Sequence, residues 1–448
     1  MNTLLILLSL GYPKLIPDDV LFESLIRNQY FQLQNVRFSI PPKFSELEKS
    51  VYSQNILHTF TVNFEYFYNS TGTFDLFPRF FYKYNNMGVV IEPLFRLGKV
   101  RGWPYAKWQD IVCGAYSRAY WYYELPNLIF LLGRNKLQVN LEGILSEEDP
   151  PIDGFLSIFR GKYVNFSFFL GQLDSRIPRD SSHFYETGKL YNRYLSIHSL
   201  EYKIKRLTFS FTEAVLYFSN TNMPDWYFLN PFMIYHPRVL DSPEGGEHNT
   251  FWILSGNYFG AKFSSHFEFL IDDFHLPDPD QWAPHKLAWI FKGYVIDFPF
   301  KASVSGISYT GATRWTYTHG LSLLYYNNRG EVMGNLNEND FDKIEIFTRK
   351  HFGNKLDLRT SFWFKRKGIA NTEEKDIYWE RGIDYPREYF LTGIVEKRLG
   401  TGIELDFHTN RIVIRSNFEY DWIWNYKHLQ SNKGSELRLK LYGSAGIF

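Results

Sequence analysis

Long apolar runs are missing from this chain of 448 residues. A membrane-spanning helix needs about 20 consecutive apolar residues, whereas an apolar run such as residues 128–132 soon meets Gly133 and Arg134. Insertion into a membrane by helices is therefore excluded. Cysteine is almost missing too, since Cys113 is the only one. A single cysteine can form no internal disulfide and supplies no zinc or redox framework.

An excess of charge of one sign is also lacking. The chain has 49 basic and 48 acidic residues, a net charge of +1, and no basic block stands out. Binding to nucleic acid relies on a basic surface, so we expect no nucleic-acid partner. The motifs HExxH, GxSxG and GxxxxGKS/T are absent as well. We therefore predict no catalytic residues, no metal and no cofactor, and hence no enzyme.

What the chain does have is alternation of large apolar and polar side chains, which indicates strands because the side-chain period of a strand is two. The pattern recurs from about residue 56 to the last residue. In one example, four apolar residues alternate with four polar ones: Phe263, Phe267, Phe269 and Ile271 against Ser264, His266, Glu268 and Asp272. One face of each strand is apolar and the other is polar.

Aromatic residues make up 19% of the chain, yet the mean hydropathy is only −0.31. A transmembrane β-barrel explains both values, because its lipid-facing positions and aromatic girdles need Phe, Tyr and Trp while alternate residues line a polar lumen. At ~10 residues per tilted strand plus connections, the chain has room for about 18 strands, within a range of 16 to 20. We therefore predict an all-β fold, a single antiparallel transmembrane barrel over residues 53–448.

The first 52 residues have a different pattern. Residues 1–11 include an apolar stretch that resembles the core of a secretory signal peptide or its remnant, although no Lys or Arg precedes it. A trimmed start and an ordinary first strand are the alternatives. Residues 12–52 contain two stretches of helical spacing that follow prolines. We expect a small helical segment there, in the periplasm or as a plug at the barrel mouth.

Several blocks resemble the Wzi-type capsule-assembly outer-membrane proteins, and they occur in order up to about residue 280. They are residues 40–49 (IPPKFSELEK), 130–136 (FLLGRNK), 143–155 (GILSEEDPPIDGF), 191–218 (YNRYLSIHSLEYKIKRLTFSFTEAVLYF), 227–236 (YFLNPFMIYH) and 267–274 (FEFLIDDF). The resemblance implies a monomeric barrel in the outer membrane of a Gram-negative-type bacterium, in contact with its lipid. It also implies a lectin-like role in retaining capsular polysaccharide and contact with the capsule-export machinery.

Six polar residues are candidates for a polar network in the lumen: Arg134, His198, Glu213, His266, Glu268 and Asp272. A network that braces the barrel wall is favoured over a cation or sugar site. Asp273 lies on the opposite face from Asp272, so these two carboxylates cannot act together on one bond as acid and base.

Two members of this set raise particular expectations. Glu213 has the parity of the apolar Phe209 and Phe211, and a charge facing lipid is costly. It should therefore lie beyond the lipid zone or be turned inward by a bulge. Arg134 interrupts an apolar strand and is expected to pair with Glu268 or Glu213 rather than to bind substrate.

A second candidate site is the aromatic segment at residues 221–231, with Asp225, Trp226, Tyr227 and Asn230. Aromatic rings stack on sugar faces, and carboxylates and carboxamides bind hydroxyl groups, so these residues could contact a glycan. The alternative is an aromatic girdle at the membrane interface.

The sequence favours a barrel that binds or retains surface polysaccharide, and the alternative is a porin-like channel for small polar solutes. The two functions differ in the state of the lumen. Bulky inward side chains would close it and favour the binding protein, whereas an open bore would favour the channel. Tyr116, Arg118, Tyr120 and Tyr122 favour closure if they face inward. A third class, an outer-membrane hydrolase, would require Ser and His or paired carboxylates aligned at the rim.

Overall fold

The computed structural model describes residues 56–68, 73–98, 112–139, 143–146, 149–178, 186, 188–219, 221, 223–241, 248–260, 262–274, 283–334, 338–352, 355–372, 374, 376–378, 384–408 and 412–447. The predictions for residues 1–11 and 12–52 lie outside these ranges.

Strands dominate the described residues, as the alternating pattern predicts. They are β1 (Ile56–Tyr68), β2 (Thr73–Tyr84), β3 (Met87–Gly98), β4 (Val112–Leu125), β5 (Leu128–Asn135), β6 (Ile152–Arg160), β7 (Val164–Gln172), β8 (Asn192–Ile204), β9 (Leu207–Ser219), β10 (His248–Phe259), β11 (Phe263–Asp273), β12 (Lys286–Ile296), β13 (Ser303–Ala312), β14 (Asn327–Asn328), β15 (Glu331–Val332), β16 (Phe341–Phe352), β17 (Leu356–Lys367), β18 (Glu396–His408), β19 (Ile412–Trp424) and β20 (Lys433–Ile447).

Eighteen of these strands form one antiparallel sheet, and β14 and β15 form a separate small hairpin. Each large strand pairs with its successor along the chain, and β1 pairs both with β2 and with β20. In the last pairing Phe60 lies opposite Ile447 and Tyr68 opposite Leu439. The sheet is therefore closed into a barrel, which confirms the predicted fold and strand number.

The apolar face of the strands points outward. On β11, Phe263 and Phe267 are exposed, whereas His266 and Glu268 are buried. The same alternation is found on β17, where Phe362 is 64% exposed. These outward side chains give the barrel the apolar belt that contact with lipid requires.

The expectation for β4 is correct for three residues and wrong for one. Arg118, Tyr120 and Tyr122 are buried inside the barrel, but Tyr116 is 51% exposed. The register between β3 and β4 shifts at this point, because neighbouring residues of β3 pair with Arg118 and Tyr116 and so skip Ser117. An irregularity of one residue reverses the face of the side chains beyond it.

The two ends of the barrel differ in the length of their connections. At one end the strands are joined by turns of two to six residues, such as 85–86 and 297–302. At the other end lie the long connections 220–247, 313–340 and 368–395. Outer-membrane barrels have short periplasmic turns and longer extracellular loops, so the long connections are extracellular.

Among the described residues, helical structure is found only in short pieces of these connections, including residues 377–378. The others are α1 (Trp226–Leu229), α2 (His236–Asp241) and the 3-10 turns Ser322–Leu324 and Tyr426–His428. No helix within the described ranges is long and apolar enough to cross a membrane.

The main hydrophobic core lies inside the barrel rather than between layers. Residues 313–334, which we call the plug segment, enter the lumen between β13 and β16 and contribute apolar side chains such as Tyr317, Leu323 and Tyr326 to the core. The opposite side of the core comes from inward residues of β5 to β12, for example Leu195 and Phe251. This part of the lumen is packed with side chains.

Candidate functional site

The plug segment is fixed to the barrel wall by a buried arginine. Arg193 of β8 is 0% exposed. Its Nε donates to the Leu323 carbonyl at 2.6 Å, and its Nη2 donates to the Tyr325 carbonyl at 2.6 Å. Its Nη1 donates to the Asn327 carbonyl at 3.0 Å and to Asp174 Oδ1 at 2.8 Å. One guanidinium thus satisfies three carbonyls of the plug segment, and Asp174, which lies in the connection after β7, neutralises its charge.

Two of the predicted lumen carboxylates also hold loop backbone. Glu268 Oε1 accepts from the Gly143 amide at 3.0 Å, and Asp272 Oδ2 accepts from the Tyr317 amide at 2.6 Å. The Tyr317 hydroxyl in turn donates to the Gly143 carbonyl at 2.9 Å. Both carboxylates face the lumen, and both contact segments that fold into the barrel. His266, also inside, contacts Asn257 on the neighbouring strand.

A third loop, residues 368–395, closes over the plug segment. Lys286 of β12 donates from Nζ to Asp376 Oδ2 at 2.9 Å, and the Tyr385 hydroxyl donates to the same oxygen at 2.8 Å. His319 of the plug segment lies beside this pair, where its Nδ1 accepts from the Leu321 amide at 3.0 Å. Burial and the nearby Lys286 lower the pKa of His319 from 6.5 to about 3, so its imidazole is neutral.

Arg134 pairs with Asp153 and not with the predicted Glu268 or Glu213, and Asp153 Oδ2 also lies 3.8 Å from Nη2 of Arg329 in the plug segment. The Nε and Nη2 of Arg134 contact the two carboxylate oxygens of Asp153 at 2.8 and 2.5 Å. Asp153 lies directly opposite Arg134 in the register of β5 and β6. The pair braces two neighbouring strands near their ends.

His198 and Glu213 form a contact of their own, at 3.1 Å between His198 Nε2 and Glu213 Oε2. They lie opposite each other on β8 and β9 in a regular register. Glu213 has the parity of the exposed Phe209 and Phe211, and His198 has that of the exposed Leu200, so both lie on the outer face of the barrel. Their predicted position in the lumen network is wrong. The bulge expected as one explanation for Glu213 is therefore wrong.

Residues 223–241, which we call the flap, contain the predicted glycan contact and cover Glu213 from outside. Asp225 caps α1 by accepting from the Tyr227 amide at 2.9 Å, and Asn230 Oδ1 accepts from the Phe232 amide at 3.1 Å. The polar groups of this candidate site thus form bonds within the flap. Trp226 is 77% exposed.

A charged groove lies on the inner wall of β16 to β20, the part of the lumen that the plug segment leaves open. It is a cavity of about 260 Å³ that opens toward solvent. Its lining is polar: Lys343, Glu345, Arg359, Ser361, Trp363, Lys365, Arg398, Gly402, Glu404, Asn417, Glu419, Asp421 and Arg438.

Opposite charges alternate along the groove and contact each other. Arg359 Nη2 donates to Glu345 Oε1 at 2.9 Å, and Arg438 Nη2 donates to Asp421 Oδ2 at 2.8 Å. Trp363 Nε1 donates to the other oxygen of Asp421 at 2.8 Å. These guanidinium and carboxylate groups can bind hydroxyls and acidic groups of a ligand. Within the described residues, no three or more His, Cys, Asp or Glu side chains are arranged to hold a metal ion.

The groove was missed as a site at the sequence level, although its signal was present. The segment 411–424 alternates polar residues such as Asn417 and Glu419 with large apolar ones. This parity places the polar residues in the lumen, but it does not reveal which part of the lumen remains open.

The chain matches no protein-family model and no curated protein sequence. Solved structures nevertheless share its fold. One is Wzi of Escherichia coli, an outer-membrane protein involved in group 1 capsule assembly and a carbohydrate-binding β-barrel. It is 10% identical with a TM-score of 0.58, and the match covers 90% of this chain and 87% of Wzi.

Outer-membrane proteins of Pseudomonas aeruginosa are similar as well. OccD3 (OpdP) is 9% identical with a TM-score of 0.52, over 87% of this chain and 92% of OccD3. OprD is 11% identical with a TM-score of 0.50, over 88% of this chain and 95% of OprD. The chain has the fold of the Gram-negative outer-membrane barrels, and the predicted outer-membrane location that belongs to this fold is confirmed.

Proposed function

We propose that this barrel binds surface polysaccharide, and helps to retain or assemble it, without catalysing a reaction. The observation that carries the proposal is the filled lumen. Tyr317, Leu323 and Tyr326 of the plug segment are completely or almost completely buried against the wall. Arg193 holds the backbone of this segment at the carbonyls of Leu323 and Tyr325. A lumen packed in this way favours a binding protein over an open bore.

The groove is the proposed ligand site. It reaches the extracellular end of the wall at Lys365 and Arg398, which lie near the long-loop ends of their strands, and it extends past mid-strand to Arg359 and Glu404. A polysaccharide chain offers many hydroxyls and, in acidic capsules, carboxylates. Charged hydrogen-bond donors such as guanidinium groups bind both kinds of group strongly. Wzi, which shares this fold, is a carbohydrate-binding β-barrel, and this agrees with the choice. The proposal also includes a monomeric barrel and contact with capsule-export machinery.

A porin-like channel is the second candidate, and the groove is also the observation that favours it. A continuous charged wall beside the plug segment would guide small polar solutes if it extended to the periplasmic end. The match to the OprD and OccD3 folds is compatible with this function.

The two functions are separated by measuring glycan retention and conductance on the same purified barrel. We expect binding on an array of bacterial polysaccharides and no steady conductance in planar bilayers. The double variant Arg398→Ala and Arg438→Ala should reduce glycan retention at least tenfold. Arg206→Ala, in the exposed turn between β8 and β9, serves as the matched control and should bind normally. Steady conductance without glycan retention would establish the channel instead.

A further inference from the structure

The outer wall of β8 to β10 has polar side chains that are buried on the outward face of the strands. Ser196, His198, Glu213 and Thr250 are on the outward parity of their strands, yet Ser196 and Glu213 are 0% exposed. Below them on the same face, Leu200 and Phe211 are exposed in the usual way. A polar group facing acyl chains without partners is costly, so this part of the wall needs a cover.

The flap is that cover, and Glu213 is its main attachment. Glu213 Oε2 accepts from the Tyr235 amide at 2.8 Å, while Oε1 accepts from the His236 amide at 3.0 Å and from Trp252 Nε1 at 2.9 Å. Ser196 Oγ adds a bond to the Phe228 carbonyl at 3.1 Å. The carboxylate on the wall and the backbone of the flap therefore satisfy each other.

Aromatic packing completes the contact between the flap and the wall. Phe228 and Tyr235 are buried in a cluster with Tyr194, Val215 and Tyr217 of β8 and β9. The ring centroids of Phe228 and Tyr217 are 4.6 Å apart. The inner side of the flap is thus a small core of its own, outside the barrel.

The other side of the flap is apolar and exposed. Trp226 is 77% and Phe232 is 81% exposed, and Met223 and Ile234 are also exposed. Phe232 stacks on Phe166 of β7, with ring centroids 5.4 Å apart. Phe166 has the outward parity of the lipid-facing residues, so the exposed surface of the flap continues the apolar belt of the barrel without a break.

We propose that the flap lies in the outer leaflet of the membrane, with Trp226, Phe232 and Ile234 among the acyl chains. The barrel would then contact lipid on this side through a folded loop instead of through bare strands. The charged groups of the flap fit this depth, because Asp225 and Arg238 lie 3.9 Å apart and are both partly exposed. They would lie at the level of the lipid headgroups. This proposal does not depend on the ligand of the groove.

The test places a fluorescent label on the flap and asks which quencher reaches it. Cys113 is first replaced by Ala, and bimane is attached to Phe232→Cys or, separately, to Trp226→Cys. The barrel is reconstituted in phosphatidylcholine vesicles. The label is quenched either by doxyl-labelled lipid in the bilayer or by iodide in the surrounding buffer. Leu254→Cys, on the outer face of β10, is the lipid control, and Lys189→Cys, on an exposed extracellular loop, is the water control.

We expect both flap labels to follow the Leu254→Cys control, with at least threefold stronger quenching by doxyl lipid than the Lys189→Cys control shows. Adding Glu213→Ala, which removes the acceptor for three N–H groups, should shift the flap labels toward iodide. Quenching by iodide alone in the parent would overturn the proposal. Disulfide formation between two Phe232→Cys copies, or protection of the label by added polysaccharide, would also overturn it by assigning the surface to a second copy or to a glycan.

Discussion

Replacing Arg193 by Met should release the plug segment while preserving the volume of the side chain. The guanidinium makes four hydrogen bonds of 2.6 to 3.0 Å, three to plug carbonyls and one to Asp174. Each hydrogen bond to a charged group contributes about 1.5–3 kcal/mol. Because all four share one side chain, their contributions are not additive. Asp174 keeps its ion pair with Arg176, whose Nε lies 2.7 Å from Oδ2, so the loss comes from the three buried plug carbonyls that would lack this donor. At about 1–3 kcal/mol for each unsatisfied buried group, we expect a loss of about 3–5 kcal/mol.

Two measurements follow the change. The free energy of unfolding is obtained from urea titrations of the barrel in detergent. At each urea concentration the folded fraction is measured on a gel, where folded and unfolded protein differ in mobility. Conductance in planar bilayers shows whether the lumen opens, and we expect Arg193→Met to give current steps that the parent lacks. Arg206→Met makes the same chemical change in an exposed turn and should alter neither quantity. Unchanged conductance together with a loss below about 1 kcal/mol, the level of an exposed ion pair, would refute the reasoning.

Phe362→Arg places a charge at the middle of the outward face of β17. It should destabilise the folded barrel in lipid by about 2–4 kcal/mol. Ser361→Arg, on the adjacent lumen-facing position, should have a smaller effect, and equal effects would contradict the assigned faces. His319→Gln tests the buried imidazole, whose pKa falls from 6.5 to about 3 on folding. Since the folded state binds fewer protons, this residue reduces stability as the pH falls from about 6.5 toward 3. Urea titrations give the free energy of unfolding at pH 6.5 and at pH 4.5. Between these two pH values the variant should lose about 2–3 kcal/mol less of this free energy than the parent.

The barrel was predictable because its two faces meet different solvents. Lipid selects apolar side chains at one parity and the lumen selects polar ones at the other, as Phe267 and Glu268 show on β11. This constraint repeats on every strand, so the two faces of a strand can be assigned from the alternation alone, without the register between strands. It fails where a strand is irregular, and Tyr116 faces outward because Ser117 is skipped in the register of β4.

The partners of the candidate residues were less predictable. Parity assigns Glu268 and Asp272 to the inner face, but their partners Gly143 and Tyr317 come from loops 125 and 45 residues away in sequence. Loops have no regular side-chain period, so the sequence does not show which residues a loop will contact. For Arg134 the partner lies in the next strand, and finding Asp153 would have required the register of β5 and β6.

Glu213 shows how an apparent conflict in the sequence can mark a real feature. Its parity is outward, and the strand around it is regular. The conflict is resolved by the flap, whose backbone amides at Tyr235 and His236 reach the carboxylate. A charged residue at a lipid-facing position is therefore a signal for a covering segment, and the following connection is the first place to search for it.

The pairing of charges in the groove favours a polyhydroxylated ligand over simple ions. Each of its five cations lies within 4 Å of a carboxylate, as in the contacts of Arg398 with Glu396 and Glu436 at 2.7 Å. A path selective for one sign of charge needs unpaired groups of the opposite sign, which attract the ion from a distance. Paired groups attract little at long range but offer donors and acceptors side by side. Such a surface suits a ligand that brings both, which is the property that sugar hydroxyls share.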